Sequence, residues 1–182
     1  MEEAMRVITG SARGMSLKTL EGETTRPTSE KVKEAVFSAL QFEIEGRKIL
    51  DLFAGSGQLG IEALSRGAES AVFVDSDKNA VKTIKENVEK TRFGDKSLVY
   101  QGDSISFLSM TGKIFDIAFI DPPYSTGLLQ KAMEKLGDRI AEGGAAVCEH
   151  SFDEELPDSF GELIKQKDYR YGRIAVSIYR KG

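Results

Sequence analysis

The stretch from Lys48 to Gly60, Lys-Ile-Leu-Asp-Leu-Phe-Ala-Gly-Ser-Gly-Gln-Leu-Gly, constrains the fold more than any other. Ile49, Leu50 and Leu52 supply an apolar strand. Gly55 and Gly57 permit positive φ and let the backbone approach a ligand closely. The run from Leu59 to Arg66 then has helical spacing and stops at Gly67, a natural C-terminal cap. Strand, glycine turn and helix make the opening unit of an open α/β sheet, and the chain continues in kind. Strands are expected near 48–52, 70–75, 97–101, 115–121 and 145–150, and helices near 58–66, 77–92 and 127–141. Val81, Ile84 and Val88 stand at helical spacing in the second helix. This alternation predicts a Rossmann-like α/β fold, a mostly parallel sheet with helices on both faces.

The ends of the chain differ from its middle. Arg6–Gly10 and Met15–Leu20 read as two short strands around a turn at Ser11–Gly14. A helix follows Arg26-Pro27-Thr28-Ser29, with Thr28 or Ser29 as N-cap and Val32, Ala35, Val36, Ala39 and Leu40 on one face. After Pro157, the segments Phe160–Tyr171 and Arg173–Tyr179 form an antiparallel hairpin at Gly172. The chain is expected to form one domain, 1–182, with residues 1–45 as a hairpin-and-helix extension and 46–182 as the core.

Composition excludes several classes. The 182 residues are 40% hydrophobic and 30% charged, as in a water-soluble globular domain. No apolar run approaches the roughly 18 residues of a membrane span, and residues 1–6 lack the basic-then-apolar character of a secretion signal. The one cysteine fits a reducing compartment, so a cytoplasmic location is expected. Cys148 and His150, the sole residues of their types, flank Glu149 and read as structural, so no metal is expected. No G-x-S-x-G elbow supports a hydrolase.

Acidic residues mark the site. Gly55, Gly57 and Gly60 fit the dinucleotide pattern G-x-G-x-x-G, and Asp75 stands where ribose hydroxyls would bind, so a nicotinamide dehydrogenase is a real rival. Asp51 favours S-adenosylmethionine (SAM). At the mouth of the turn its carboxylate suits a cationic amino-acid end and would repel a pyrophosphate. Asp103, after the strand Ser97–Gln101, can accept from an adenine amine. Carboxylates at the ends of successive strands, Asp51, Asp75 and Asp103, line the edge where open α/β sheets bind ligands. Phe53, Ala54, Gly55, Ser56, Gly57, Ser76 and Ser104 complete the expected cofactor set.

A second site lies at Asp121-Pro122-Pro123-Tyr124, after the apolar run Phe115–Ile120. Tyr124 offers a ring on which a base can stack. Asp121 can accept one amine hydrogen and a carbonyl of the Pro122-Pro123 turn the other, because neither proline donates. No role is assigned to the Tyr124 hydroxyl.

Four segments together carry a family resemblance. They are Arg6-Val-Ile-Thr-Gly10 with Arg13-Gly14, Arg26–Phe37, Phe53–Gly67 and Asp121–Tyr124. The chain resembles the bacterial 16S rRNA guanine-N2 methyltransferases, class I SAM-dependent enzymes. The resemblance implies a seven-stranded sheet whose last strand is antiparallel, SAM as donor, a guanine exocyclic amine as acceptor and small-subunit rRNA, free or in an assembling particle, as partner of a monomer. Met15 replaces an arginine that the family often has there, and Asp75 a commoner glutamate. Arg6, Arg13, Arg26, Thr28 and Lys31 are the expected RNA contacts. Locally basic ends support docking despite a net charge of −4. An adenine-N6 or glutamine methylase and a non-catalytic SAM- or RNA-binding protein remain alternatives.

Overall fold

The computed structural model describes residues 5–20 and 27–182, with the side chains of 27–29 left aside. Strands β1 (Met5–Arg6) and β2 (Ser16–Leu17) form a small antiparallel pair, and helix α1 (Pro27–Ala39) follows. From there strands and helices alternate: β3 (Lys48–Leu52), α2 (Gln58–Ser65), β4 (Ser70–Asp75), α3 (Lys78–Lys90), β5 (Ser97–Gln101), α4 (Ser104–Met110), β6 (Phe115–Ile120), α5 (Leu128–Leu136) and β7 (Ile140–Ser151). Strands β8 (Ser159–Phe160), β9 (Leu163–Tyr171) and β10 (Ile174–Lys181) close the chain.

The main sheet runs β5-β4-β3-β6-β7-β10-β9-β8. Strands β3 to β7 are parallel, and β10 is antiparallel to both β7 and β9. The expected seven strands are therefore present, and a two-residue eighth, β8, lies beside β9. Both faces are covered. Ile49, Ile117 and Phe119 pack with α1, α2 and α3 on one side. Leu50, Leu52, Ala118 and Ile120 pack with α4 and α5 on the other. Successive strand residues point to opposite faces, which is why the central strands are apolar at nearly every position.

The order reverses between β3 and β6, since β4 and β5 lie to one side of β3 and β6 and β7 to the other. A crevice opens at such a point, beyond the carboxyl ends of the strands.

Some boundaries differ from expectation, for physical reasons. The two N-terminal strands are only two residues each; the chain between them closes a turn on itself, with Val7 donating to the Met15 carbonyl at 3.0 Å and Gly14 to the Val7 carbonyl at 2.9 Å, and it also bonds to α2. Ile8 and Thr9 donate to the Glu62 carboxylate at 2.8 and 3.1 Å, and Ser11 donates to the Ser65 carbonyl at 2.8 Å. Gly10 is required there: its φ is 99°, and a Cβ would fall 1.8 Å from the Ser65 carbonyl oxygen. Helix α1 starts at Pro27, which places positions 28 and 29 inside its first turn and not at an N-cap. Val32, Val36 and Leu40 are buried as expected, but Ala39 is exposed, and Phe37 and Lys33 are buried in its stead. The expected helix 127–141 ends at Leu136, where a short 3-10 turn over Gly137–Arg139 leads straight into β7. Helix α4 was not expected. It is seven residues long and rich in serine, and it is started by Asp103, whose carboxylate accepts from the Ser106 amide at 2.8 Å.

Among the described residues no helix is long and apolar enough to cross a membrane.

Candidate active site

The glycine turn is built from both ends. Gly55 and Gly57 have φ of 58° and 81°, in the left-handed region that glycine tolerates. Phe53 has φ of 57°, which for a non-glycine side chain is strained and is held by its surroundings. Gly60 allows close packing of α2 on β4, because a Cβ there would lie 2.3 Å from the Phe73 ring.

The acidic residues hold this turn as well as face the crevice. Asp51, buried at the end of β3, accepts from the Gly60 amide at 3.0 Å, inside the first turn of α2. Asp75 accepts from the Gly55 amide at 2.9 Å through one oxygen and from the Asp77 amide at 2.9 Å through the other. A carboxylate oxygen has a second lone pair, so each can still receive a ligand hydroxyl. Asp103 caps α4, and the Ser106 amide and hydroxyl hold its carboxyl below the usual range. Asp103 thus caps a helix while also standing on the crevice wall.

One cleft of about 700 Å³ joins these groups. Its lining includes Asp51, Phe53, Ala54, Gly55, Asp75, Ser76, Asp103 and Ser104 together with Asp121, Pro122 and Pro123. The volume lies within the range of small-molecule sites, roughly 300–1,000 Å³. Ser56 and Gly57 do not line it. Ser56 is buried behind the turn, where its carbonyl accepts from the Asn87 amide group at 3.0 Å. Gln58, Leu59, Asp77 and Leu128 line the cleft and were not singled out. Gln58 directly follows Gly57, so the turn motif itself could have pointed to it.

Tyr124 lies on the neighbouring, smaller hollow with Pro122, Pro123, Glu149 and His150. The residue is 43% exposed, open enough to meet a flat ligand face. Its hydroxyl has a partner after all, donating to Glu149 Oε1 at 3.4 Å. Burial, then the Glu149 and Asp121 carboxyls, push that hydroxyl above the usual tyrosine range. Burial likewise raises the Glu149 carboxyl, against the opposing influence of the Tyr124 hydroxyl and the Asp121 side chain. Glu149 was passed over in the sequence because no local motif surrounds it.

The flanking residues are engaged in the core. Cys148 is buried with its Sγ 3.4 Å from Met133 Sδ. The His150 Nε2 lies 2.8 Å from Ser177 Oγ, which donates to Asp168 at 2.6 Å. Among the described residues no group of three or more His, Cys, Asp or Glu is placed to hold a metal ion.

The expected RNA-facing residues divide. Arg6, Arg13 and Lys31 are exposed. Arg26 lies outside the described residues, as does the Thr28 side chain.

A family model described as conserved hypothetical protein 95 matches residues 5–180. The chain belongs to that family. Two relatives are similar to the chain over nearly its whole length. One is the Bacillus subtilis (strain 168) protein "Putative rRNA methyltransferase YlbH", 43% identical over 97% of this chain and 99% of its own length. The other is Ribosomal RNA small subunit methyltransferase D of Escherichia coli (strain K12), 31% identical over 97% of this chain and 90% of its own. Among solved structures, the Thermus thermophilus 16S rRNA N2 G1207 methyltransferase (RsmC), in complex with AdoMet and guanosine, superposes with a TM-score of 0.78. It is 21% identical and covers 99% of this chain and 50% of its own, a likeness of fold. The Rossmann-like α/β architecture expected from the turn and the strand alternation is thus the one observed.

Proposed function

We propose that this chain transfers a methyl group from SAM to the exocyclic N2 amine of a guanine in small-subunit rRNA. The observation that carries the reading is the single cleft in which the acidic strand ends meet the Asp121-Pro122-Pro123 turn. A donor pocket and an amine-holding turn share one wall. The names of the two rRNA methyltransferase relatives support the class of substrate, and the RsmC structure supports both the donor and guanine N2.

The residues fit such a donor. The carboxylates of Asp51, Asp75 and Asp103 offer acceptors for an ammonium, ribose hydroxyls and an adenine amine. Gln58 Oε1 is buried in the cleft wall with no partner among the described residues, an acceptor suited to a ligand donor. When bound, SAM supplies a methyl group made electrophilic by its sulfonium.

The chain's own groups do the rest. Asp121 and the Pro122 carbonyl accept the two amine hydrogens, which favours a pyramidal nitrogen with its lone pair directed at the methyl carbon. The new C–N bond forms as the C–S bond breaks with its electron pair going to sulfur. The surplus amine proton then leaves to water along the Asp121 carboxylate. That carboxylate also offsets positive charge developing on the nitrogen. Holding the reactants in line supplies much of the rate. Tyr124 stacks on the splayed base, and Arg6, Arg13, Arg26, Thr28 and Lys31 meet the RNA backbone.

Methyl-labelled SAM and rRNA from unmodified ribosomal particles test this, with digestion to nucleosides. N2-methylguanosine is the expected product. N6-methyladenosine would transfer the assignment to the adenine methylases, and tight NAD binding without SAM binding would return it to the dehydrogenases.

A further inference from the structure

We propose that Glu149 is a positioning residue for this transfer, sharing one proton with Asp121 and so fixing which Asp121 oxygen faces the acceptor amine. The proposal rests on the reading of Asp121 just given, but its physical basis is the sheet register. Strands β6 and β7 are parallel neighbours with Ile120 paired to Cys148. One step further along both strands sets Asp121 beside Glu149, where each carboxyl influences the other. Two ionised carboxylates only accept, so side chains set next to each other in this way can hydrogen-bond only if one of them carries a hydrogen. Like charges held this close strongly oppose double ionisation, so the pair retains a proton that neither group would keep alone.

The surroundings favour a shared proton over a salt bridge. Tyr124 approaches Glu149 from the loop after β6 and donates its hydroxyl. Along β7 the neighbouring His150 directs one ring nitrogen at the Ser151 carbonyl, 2.9 Å away, and the other at Ser177. Glu154 lines the same hollow and is acidic. From β10 the residue paired with Glu149 is Val176, which is apolar. None of these groups is a lysine or arginine. Burial pushes the Glu149 carboxyl up, in the direction that keeps a proton on the pair.

A singly protonated pair leaves one Asp121 oxygen bound towards Glu149 and the other available to the amine. Falling pH adds a second proton and weakens that acceptor. Rising pH removes the shared proton, and repulsion swings the two carboxylates apart. Transfer is therefore bell-shaped in pH, with limbs that belong to the pair and not to either residue alone.

Single-turnover methyl transfer across pH by Glu149→Leu and Glu149→Gln tests the assignment. Glu149→Leu should slow transfer by at least about 10-fold, the lower range for losing a charge-assisted hydrogen bond, with SAM affinity by calorimetry unchanged. Glu149→Gln can donate an amide hydrogen where the shared proton lay. It should recover transfer to within about 3-fold of the parent at neutral pH and lose the alkaline limb. Parental rates in Glu149→Leu, or a Glu149→Gln protein as slow as Glu149→Leu with the parental pH profile, would overturn the proposal. Infrared difference spectra separate this from the substrate assignment. A protonated-carboxyl band at neutral pH should be present in the parent and absent from both Glu149→Gln and Asp121→Asn. Its absence from the parent would overturn the shared proton whatever the substrate. Its presence in a parent that methylates no rRNA would uphold the pair and sink the proposed function.

Discussion

Asp75 shows how one side chain can serve fold and ligand together, and how far such a residue can be read in advance. Its place at the end of β4 was legible from the glycine spacing and the apolar run before it. Its bonds to Gly55 and Asp77 were not, because they depend on the path of the turn. Asp75→Ala is therefore expected to lower both SAM affinity and stability. Losing an acceptor for partly buried amides costs about 1–3 kcal/mol, a fall of roughly 2–12 °C in Tm for a chain of this size. Thermal melts alongside SAM calorimetry check it, and a variant that melts like the parent would show that the turn stands without Asp75. Asp121→Ala should behave differently. It lies after β6, outside the turn, so its loss should fall on kcat, by at least about 10- to 150-fold, in single-turnover assays. The sequence alone assigns the Tyr124 hydroxyl no role. Because the hydroxyl donates to Glu149, Tyr124→Phe is expected to displace the pH profile, with stacking retained. Glu149 itself was invisible in the sequence: its partner is far along the chain, and only strand register brings the two side by side.

At the scale of elements, the N-terminal segment is fastened to the same helix that begins at the glycine turn. Glu62, fully buried in α2, accepts from Ile8 and Thr9, pairs with Lys33 at 3.1 Å and with Arg66 at 3.0 Å. Burial lowers the Lys33 pKa, and the Glu62 charge works against that shift. Asn87 of α3 adds a second tie, accepting from the Lys18 amide at 2.8 Å while its own amide group donates to the Ser56 carbonyl in the turn. Movement of the segment is thus coupled to the cleft wall through two helices. Glu62→Ala leaves Lys33 buried without its counter-charge, a change worth about 3–5 kcal/mol. The expected result is a large fall in Tm, with amide exchange between residues 5 and 17 rising ahead of the core. Uniform loss of protection would mean that the segment is not fastened separately. Helices α2 and α3 were readable because their apolar residues stand at helical spacing, with Gly67 marking the end of the first. Helix α4 was not, since a serine-rich seven-residue segment spans too few turns for its apolar spacing to register.

The charge of the whole molecule is where sequence counting and structure part most clearly. Between Met5 and Lys33, and again between Leu163 and Gly182, basic residues outnumber acidic ones, which suggested two docking ends. Several of those cations are committed inside the protein. Lys33 is 2% exposed. Arg180 makes a two-pronged bond to Glu43 at 2.6 Å, Lys165 donates to the Leu156 carbonyl at 2.8 Å, and Lys181 reaches the Gly137 carbonyl at 2.9 Å. Arg6, Arg13, Lys31, Lys167, Arg170 and Arg173 remain exposed, although Arg170 stacks on the Phe152 ring at 4.1 Å. RNA affinity should follow this division and not the sequence count. For single strands the slope of log K against log salt is about −0.7 per phosphate neutralised. Each of Arg13→Ala and Lys31→Ala should make the slope shallower by about 0.7–1 and raise KM for RNA, with SAM binding unchanged. Lys165→Ala, which removes an internal tie, should leave the slope as it is, although it can lower Tm. Fluorescence anisotropy of labelled rRNA fragments over a salt series measures all three. Equal slopes in Arg13→Ala, Lys31→Ala and the parent would move the docking surface away from the N-terminal segment, to the exposed cations of β9 and the β9–β10 turn.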